Sequence, residues 1–278
     1  MVSVAHSWLP KTLCGESCVS VGLGEPGHPV LEGIRTVRRL VAALLVFPTL
    51  AVLAIPMPGR RRFQRIYCRM MLRCLGVRIT LSGGPIRNLT GVLVVSNHVS
   101  WVDVFAIGAV LPGAFVARAD LVDWPGLGLA VRLMNVIPID RASLRRLPAV
   151  VGVVAQRLSA GRTVVAFPEG TTWCGPDFGP FHPAMFQAAV DTGRPVQPLR
   201  LSYRHRDGSP STATAFLGED SLWSSLKRIA RARRTVVNVE VRSLQLPGSG
   251  RRELATRCEV EVSGRRRDDH LPELAIGA

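Results

Sequence analysis

Short runs of β-branched or alternating apolar residues recur from residue 77 onward, separated by longer stretches of mixed polarity. Glycine, proline or a polar residue closes most of the runs, as is typical of buried strands. The predicted strands are VRITLSG, GVLVVSN, GAFVAR, NVIPID, TVVAFPEG, PVQPLRLSY, RTVVNVEV and RCEVEV. Helices are predicted near residues 102–111, 124–134, 143–160, 183–192 and 221–231. Strands that alternate with helices at this spacing favour an α/β sandwich with a largely parallel or mixed central sheet.

Ahead of this region the chain carries a charge-free apolar run, LVAALLVFPTLAVLAIPMP, from residue 40 to residue 58. About twenty such residues can cross a bilayer core as a helix, but Pro48 would kink that helix and Pro56 and Pro58 would end it. Arginines flank both sides, so the positive-inside rule gives no orientation. The run is either a kinked transmembrane or re-entrant anchor, or the first of two amphipathic helices in the membrane interface, with RFQRIYCRMMLRCLGV as the second. A buried core helix of a soluble protein is the third interpretation.

The same pattern predicts four segments along the chain. Residues 1–30 lack periodicity and are rich in glycine and proline, so we expect a flexible leader without a cleavable signal peptide. Residues 31–76 form an apolar and basic membrane-associated helical segment. Residues 77–263 form the α/β domain. Residues 264–278 are expected to be a disordered tail.

The formal charge of +15 narrows the choice of partners. Nearly all of it is arginine, because Lys11 and Lys227 are the only lysines. Such a surface should meet something anionic, either nucleic acid or lipid headgroups. The arginines flank apolar stretches and aromatic residues that could stack on bases are scarce, so an anionic membrane surface is favoured and no nucleic acid is expected. The hydrophobic fraction of 47% fits a membrane-associated globular enzyme.

The six cysteines show no regular framework, and a chain of this size needs no disulfide, so reduced thiols are expected. Cys14 and Cys18 could form a metal cluster with His6. Their spacing matches no zinc pattern, however, and the stretch is rich in glycine, serine and proline. The sequence therefore favours a flexible leader over a metal site.

The predicted strand GVLVV is followed by SNHVSWVD, in which His98 precedes Asp103 by five positions. On a continuous helix these side chains would point about 140° apart and could not share a target. If His98 lies in the turn and Ser100 caps the helix, the carboxylate of Asp103 can reach back to the imidazole. A carboxylate on one ring nitrogen fixes the tautomer, so the other nitrogen can take a proton from a substrate hydroxyl. A capping aspartate beside a surface histidine is the simpler alternative.

Two further strand ends carry candidate substrate-binding residues. TVVAFP is followed by Glu169, Gly170, Thr171 and Thr172, where glycine lets a ligand approach the backbone and the polar groups can bond to it. NVIPID is followed by Arg141, whose guanidinium suits a phosphate or carboxylate. Alone, the first could be an acidic helix start and the second a solvated charge. Ligands in open α/β sheets gather where strands end, which is where all three polar stretches lie.

Together these pieces resemble the motifs of the glycerolipid acyltransferase family, which makes phosphatidic acid from lysophosphatidic acid. NHVSWVD resembles that family's NHxSxxD block, VIPIDR its second block ending in arginine, and FPEGTT its FPEGT block. VQPLRL is similar to the fourth block, in which a proline follows a hydrophobic strand. The resemblance covers about residues 77–204, and the ordered set is far more specific than any one block. It implies the family's α/β sandwich with a mixed central sheet, behind an apolar N-terminal membrane-associated segment.

The resemblance implies O-acyl transfer at the cytoplasmic face of the cell membrane. His98 would be the general base that takes the proton of the acceptor hydroxyl as it attacks an acyl thioester, with Asp103 holding and polarising the ring. The donor would be acyl-CoA or acyl carrier protein, so no cofactor and no metal is expected. The acceptor would be a lysolipid, 1-acyl-sn-glycerol-3-phosphate in the first place.

The identity of the acceptor depends on positions where the chain departs from the family pattern. Arg141 would bind the anionic headgroup, and the turn from Glu169 to Thr171 would shape the pocket. Thr172 stands where many members with phosphate acceptors have arginine, and FHPAMF replaces the usual F-K-x-G stretch. His182 or a nearby arginine could supply the missing contact. Members acting on lyso-ornithine lipid or lysophosphatidylcholine are similar in having EGTT or EGTC, so another lysolipid such as lyso-ornithine lipid is the alternative acceptor.

Two other classes of function explain parts of the pattern. A thioesterase or lysolipid hydrolase would use the same base to activate water, but the sequence has no GxSxG nucleophile elbow. A non-enzymatic basic adaptor for membranes or nucleic acid would carry the motifs by coincidence and would bind with a steep salt dependence. The ordered motifs favour the acyltransferase.

Overall fold

A mixed β-sheet forms the centre of the molecule, as the sequence predicts. The computed structural model describes residues 10–21, 28–55, 58–87, 89–123, 128, 132–140, 143–218 and 220–264. The strands within these residues are β1 (Val77–Gly83), β2 (Leu93–Ser96), β3 (Ala114–Arg118), β4 (Ile137–Ile139), β5 (Val164–Ala166), β6 (Val196–Arg204) and β7 (Thr235–Val241). Their order is β1-β7-β6-β2-β5-β3-β4, and all neighbours are parallel except β6 and β7.

Helices cover both faces of this sheet. The α-helices within the described residues are α1 (Glu16–Val21), α2 (Pro29–Val46), α3 (Arg60–Cys74), α4 (Asp103–Gly108), α5 (Leu147–Ser159), α6 (Phe186–Thr192), α7 (Leu222–Arg231) and α8 (Arg251–Ser263). A 3₁₀ helix, Phe47–Ala54, continues α2. Of the predicted helices, the one near 124–134 lies mostly outside the described residues. The predicted tail lies outside them as well, except for its first residue.

The central strand β2 is buried on both sides because its side chains alternate between two cores. Val94 packs in the core that contains residues of α3 and α4. Leu93 and Val95 pack in the opposite core, with residues of α5, α6 and α8. A continuous apolar run is what a parallel strand with helices on both faces requires. The residues that follow β2 are therefore delivered from the interior of the molecule to the edge of the sheet.

The last predicted strand is wrong, because RCEVEV lies within α8. Its alternating letters imitate the period of a strand. Leu254, Cys258 and Val262 are spaced four residues apart, and all three are buried, which is the helical period. Glu259 lies on the same buried side, where it accepts a hydrogen bond from the backbone N–H of Phe181. Packing against the sheet thus decides between two patterns that the local sequence leaves equivalent.

The apolar N-terminal segment forms α2 and the 3₁₀ helix. The α-helix ends at Val46, just before Pro48. Among the described residues, one stretch, Pro29–Leu53, is long and apolar enough to cross a membrane by length and composition, and it could be membrane-associated. Only 11% of its most apolar window is buried, so this is no core helix of the domain. One side of α2 exposes apolar residues at helical spacing, here called the apolar face of α2: Val30, Ile34, Val37, Val41, Leu44 and Leu45.

Arginines on α2 attach it to the end of α7. Arg39 donates to the backbone carbonyls of Ala230, Ala232 and Arg233 at 2.6 to 3.0 Å. Arg35 donates to the carbonyl of Arg231 at 2.8 Å. Helix C-termini leave their last carbonyls without intrahelical partners and carry a partial negative charge, so a guanidinium stabilises them.

Residues 10–21, which fall inside the predicted leader, pack against the α/β domain. Cys14 is buried, and the carbonyl of Val19 accepts a hydrogen bond from the hydroxyl of Thr212 at 3.1 Å. Pro10 lies so close to Gly170 that a β-carbon there would be 2.5 Å from its Cγ. The N-terminal segment therefore contacts the loop that follows β5.

Candidate active site

The candidate site lies where β2 and β5 end side by side. The two strands are parallel neighbours, so the residues that follow them emerge at the same edge of the sheet. Asn97 fixes the first of these turns, because its side-chain amide exchanges two hydrogen bonds with the backbone of Leu201 in β6, at 2.8 and 3.0 Å. The backbone N–H of Trp173 donates to the carbonyl of His98 at 2.8 Å, and this bond joins the loop after β5 to the turn after β2.

His98 and Asp103 are in direct contact, as their spacing predicts. Nδ1 of the ring lies 2.8 Å from Oδ2 of the carboxylate. The backbone N–H groups of Val99 and Ser100 donate to the same oxygen at 2.7 and 2.9 Å, which folds the turn around it. The prediction that Ser100 caps the helix is wrong, because α4 begins at Asp103 and the Ser100 hydroxyl accepts a bond from Val102 N–H within the turn.

The imidazole of His98 is held on two sides. Besides Asp103 at Nδ1, the ring of Phe167 stacks on it with centroids 4.0 Å apart and planes 15° apart. The side chain of His98 is 16% exposed, whereas that of Asp103 is fully buried. With Nδ1 donating to a buried carboxylate, Nε2 is the nitrogen that can accept a proton from a bound hydroxyl.

Tyr203 is a site residue that sequence reasoning missed. Its hydroxyl donates to Oδ1 of Asp103 at 2.5 Å, on the oxygen that His98 does not use. Burial raises the pKa of Tyr203 well above its ordinary value, and the nearby charge of Asp103 and the hydrogen bond to it act in the same direction. The phenol therefore remains a donor. Tyr203 stands in β6, two strand positions beyond Leu201, and only the pairing of β6 with β2 brings it to the turn.

Glu169 is buried, and both of its carboxylate oxygens accept backbone N–H groups. Oε2 accepts from His98 at 2.6 Å and Oε1 accepts from Gly179 at 3.0 Å. Burial raises the pKa of this carboxyl well above its ordinary value of 4.5; the two backbone hydrogen bonds oppose that shift, and the charge of Asp103 adds to it. Glu169 thus joins the loop after β5 to the backbone of His98, and both of its carboxylate oxygens are bonded to backbone N–H groups of the protein.

The other residues of this turn, Gly170 to Thr172, differ in backbone conformation, burial and bonding. Gly170 has a φ of +71°, a left-handed conformation that side chains rarely adopt. Thr171 is half-buried. The Thr172 hydroxyl donates to the carbonyl of Phe216, so it is already engaged with the protein. The substrate-binding roles of these residues remain predictions.

Arg141 and His182 are the two residues predicted to contact the headgroup, and the structure describes only His182. Arg141 lies outside the described residues, next to Asp140, which follows β4. His182 lies beside Gly170, with its Cδ2 3.5 Å from where a β-carbon of Gly170 would be. Partial burial lowers the pKa of His182, while the charge of Glu259 opposes this shift. A neutral imidazole is a weak partner for an anionic headgroup, so His182 is a poor substitute for an arginine at the position of Thr172.

The chain is similar to enzymes of known activity over most of its length. It is 34% identical to the lyso-ornithine lipid O-acyltransferase of Pseudomonas aeruginosa, over 74% of this chain and 78% of that protein. The chain belongs to the glycerolipid acyltransferase family. The model of the acyltransferase family matches residues 78–202, which include the turns after β2 and β5. This acyltransferase therefore carries His98 and Asp103 within the region that defines its family.

Two other relatives support the assignment at different levels. The acyltransferase is 33% identical to the 1-acyl-sn-glycerol-3-phosphate acyltransferase of Neisseria meningitidis, over 62% of this chain and 67% of that protein. It also superimposes on the crystal structure of the 1-acyl-sn-glycerophosphate acyltransferase PlsC from Thermotoga maritima, with a TM-score of 0.60 and 21% identity, over 84% of this chain and 94% of that one. The structural likeness confirms the predicted fold of the acyltransferase.

Proposed function

We propose that this acyltransferase moves a fatty acyl group from an acyl thioester, acyl-CoA or acyl carrier protein, to the free hydroxyl of a lysolipid in phospholipid biosynthesis. The contact of 2.8 Å between His98 Nδ1 and Asp103 Oδ2 carries the proposal, because it presents an oriented base at the edge of the sheet. The reaction needs neither a metal nor a cofactor, since acyl transfer from a thioester requires only a base and a leaving thiol.

In the proposed reaction His98 takes one proton from the acceptor and gives it to the leaving thiol. The acceptor hydroxyl loses its proton to Nε2 of His98 while its oxygen bonds to the thioester carbonyl carbon. The carbon–sulfur bond then breaks, and the thiol leaves with the proton that the histidine had taken. Asp103 stabilises the imidazolium that forms between these two events. The stacked ring of Phe167 and the backbone bonds at Asp103 keep the base in this orientation.

The two candidate acceptors are 1-acyl-sn-glycerol-3-phosphate and lyso-ornithine lipid, and the contact made by Thr172 favours lyso-ornithine lipid. The acceptor named for several relatives is 1-acyl-sn-glycerol-3-phosphate, which carries a phosphomonoester. The relatives from Pseudomonas aeruginosa and Rhizobium meliloti are named for lyso-ornithine lipid. Thr172 gives the pocket no cation, and its hydroxyl is held by Phe216, which suits an acceptor without a phosphomonoester.

Membrane association at the cytoplasmic face is part of the proposal. The apolar face of α2 is exposed, as described above. Beside it, nine arginines line a groove of about 1280 Å³ between α2, α3 and the starts of β1 and β7. An apolar helix face next to a cluster of arginines suits the interface of an anionic bilayer. The groove would receive anionic headgroups or the phosphates of the donor.

Substitution of the base tests the proposed chemistry. Purified His98→Ala protein should transfer acyl groups from acyl-CoA to lysophosphatidate or lyso-ornithine lipid roughly a hundredfold or more slowly than the unaltered chain, because the hydroxyl loses its general base. His28→Ala is the matched control, since His28 is exposed ahead of α2 and makes no side-chain capping bond. Unchanged turnover in His98→Ala would rule out the proposed mechanism.

Product analysis in the same assay separates transfer from hydrolysis and compares the two acceptors. With the lysolipid omitted, an acyltransferase should release little free fatty acid, whereas a thioesterase would release it at the full rate. With each acceptor supplied in turn, the ratio of the two kcat/KM values measures the headgroup preference. Higher kcat/KM with lysophosphatidate would favour the phosphomonoester despite Thr172.

A further inference from the structure

Three cysteine sulfurs converge beside the candidate active site. The Sγ atoms of Cys14, Cys18 and Cys174 all lie within 4.8 Å of one another. Cys14 and Cys174 are buried, and Cys18 is partly exposed. The three thiols are free, and the acyl-transfer chemistry uses none of them. The cluster therefore needs an explanation separate from catalysis.

The fold brings these sulfurs together from two distant parts of the chain. Cys14 lies just before α1, and Cys18 lies within α1, four positions later along the chain. The Cys18 N–H donates to the carbonyl of Gly15 at 3.1 Å, which keeps this first turn tight. Cys174 comes from the loop after β5, two residues beyond Thr172. The bond from Thr212 to the carbonyl of Val19 holds α1 against the segment that follows β6.

We propose that Cys14, Cys18 and Cys174 form a binding site for one zinc ion. Thiolates are preferred zinc ligands, and a tetrahedral ion with bonds of about 2.3 Å requires sulfurs about 3.8 Å apart, so the cluster needs to close by only about 1 Å. Each thiol releases its proton as its sulfur binds the ion. The fourth position falls to water or to the carboxylate of Asp177, whose Oδ2 lies 3.7 Å from the sulfur of Cys174.

The site would fasten the N-terminal segment across the loop after β5. Pro10 lies against Gly170 in that loop, four residues ahead of Cys14. Cys174 stands two residues after the Glu169–Thr172 turn. A metal bridging these segments would hold Pro10 in place beside the predicted acceptor pocket. Binding of zinc and acyl transfer are separate properties, so the site is tested by metal content and backbone protection.

Stoichiometry of zinc in the full-length protein tests the site. Protein purified under reducing conditions, incubated with Zn²⁺ and passed through a desalting column should retain one zinc per chain by elemental analysis. Cys14→Ser, Cys18→Ser and Cys174→Ser should each weaken zinc affinity at least tenfold in competition with a chromogenic chelator. Cys74→Ser, on α3, is the matched control and should bind like the unaltered chain.

Hydrogen exchange on the unaltered chain keeps the test independent of how well the variants fold. Amides of residues 10–21 should exchange more slowly with zinc than after chelation, and restoring zinc should restore the protection. Absence of stoichiometric zinc in folded protein would overturn the proposal. So would zinc binding that survives in Cys14→Ser and Cys174→Ser alike.

Discussion

Asp103 is the residue on which the geometry of the site depends. One oxygen accepts from the ring of His98 and from the backbone N–H groups of Val99 and Ser100, and the other accepts from the hydroxyl of Tyr203. The carboxylate is fully buried, so these donors replace the water it has lost. Hydrogen bonds to an ionised acceptor are stronger than neutral ones, and this set fixes the direction of the carboxylate.

Removal of the Tyr203 hydroxyl should therefore weaken the fold and the base together. Tyr203→Phe leaves Oδ1 of Asp103 without its donor, so the free energy of unfolding should fall by about 1–3 kcal/mol. Turnover should also fall, but less than in His98→Ala, because the ring keeps its contact with Oδ2. Urea denaturation and acyl-transfer assays measure the two effects. Tyr67→Phe, which removes a buried hydroxyl not bonded to Asp103, is the control; equal losses in both variants would contradict this role for Tyr203.

Glu169 makes a second prediction at the scale of one residue. Glu169→Gln turns an amide NH₂ toward one of two backbone N–H donors, His98 or Gly179, and leaves a buried donor unpaired. The free energy of unfolding should fall by about 1–3 kcal/mol. The control is Glu253→Gln, whose carboxylate is 69% exposed and should change stability very little.

The pH dependence of that variant follows from the pKa of Glu169. Burial raises the folded-state pKa of Glu169 above the ordinary value of 4.5. Between these two pKa values the folded chain holds a proton that the unfolded chain releases. The stability of the unaltered chain relative to Glu169→Gln should be greatest below pH 4.5 and decline as the pH rises through the folded-state pKa. Urea denaturation of both proteins at several pH values measures this. If the free energy of unfolding of the unaltered chain instead increases relative to that of Glu169→Gln as the pH rises, the folded protein stabilises the carboxylate anion.

The sequence predicts the local half of the site and misses the distant half. His98 and Asp103 are five positions apart, so the geometry of one turn is enough to bring them together. Tyr203 reaches Asp103 only through the pairing of β6 with β2, and no local pattern marks it. Cys174 meets Cys14 and Cys18 for a similar reason: spacing along the chain does not reveal a ligand contributed by another loop.

At the scale of elements, the strands from β1 to β7 follow the apolar runs, whereas α8 does not. A strand that is buried on both faces can be recognised in the sequence as a continuous apolar run, as in β2 and β5. In α8 the alternation of cysteine, valine and glutamate gives the period of a strand, and only the burial of every fourth residue shows a helix. The error falls where one glutamate, Glu259, is buried against expectation and bonded to Phe181.

The apolar face of α2 gives a prediction of its own. Leu44→Asp together with Leu45→Asp should sharply reduce the fraction of protein that floats with anionic vesicles, because both side chains are at least 70% exposed and would enter the hydrocarbon boundary. Acyl transfer to a short-chain, water-soluble acceptor should change little. Leu246→Asp, at a site 66% exposed outside α2, is the matched control. Equal flotation of all three proteins would place the membrane contact elsewhere.

At the scale of the whole molecule, the reversal between β6 and β7 decides which elements meet. Because β7 runs opposite to β6, it begins at the edge where β2 and β6 end. The end of α7, which precedes β7, lies at that same edge, and Arg39 of α2 is bonded to it. The apolar helix and the histidine thus lie along one edge of the sheet. The proposed membrane contact and the proposed chemistry face the same side.

The attachment of α2 at that edge has a kinetic consequence. If α2 lies in the bilayer as proposed, the enzyme meets its acceptor by lateral diffusion within a sheet of lipid. The rate should then follow the mole fraction of lysolipid in the vesicle, and diluting it with inert phospholipid at a constant total amount should slow the reaction. An enzyme that draws monomers from water would be indifferent to such dilution. Arg39, by holding a helix end with three hydrogen bonds, would in this way confine catalysis to two dimensions.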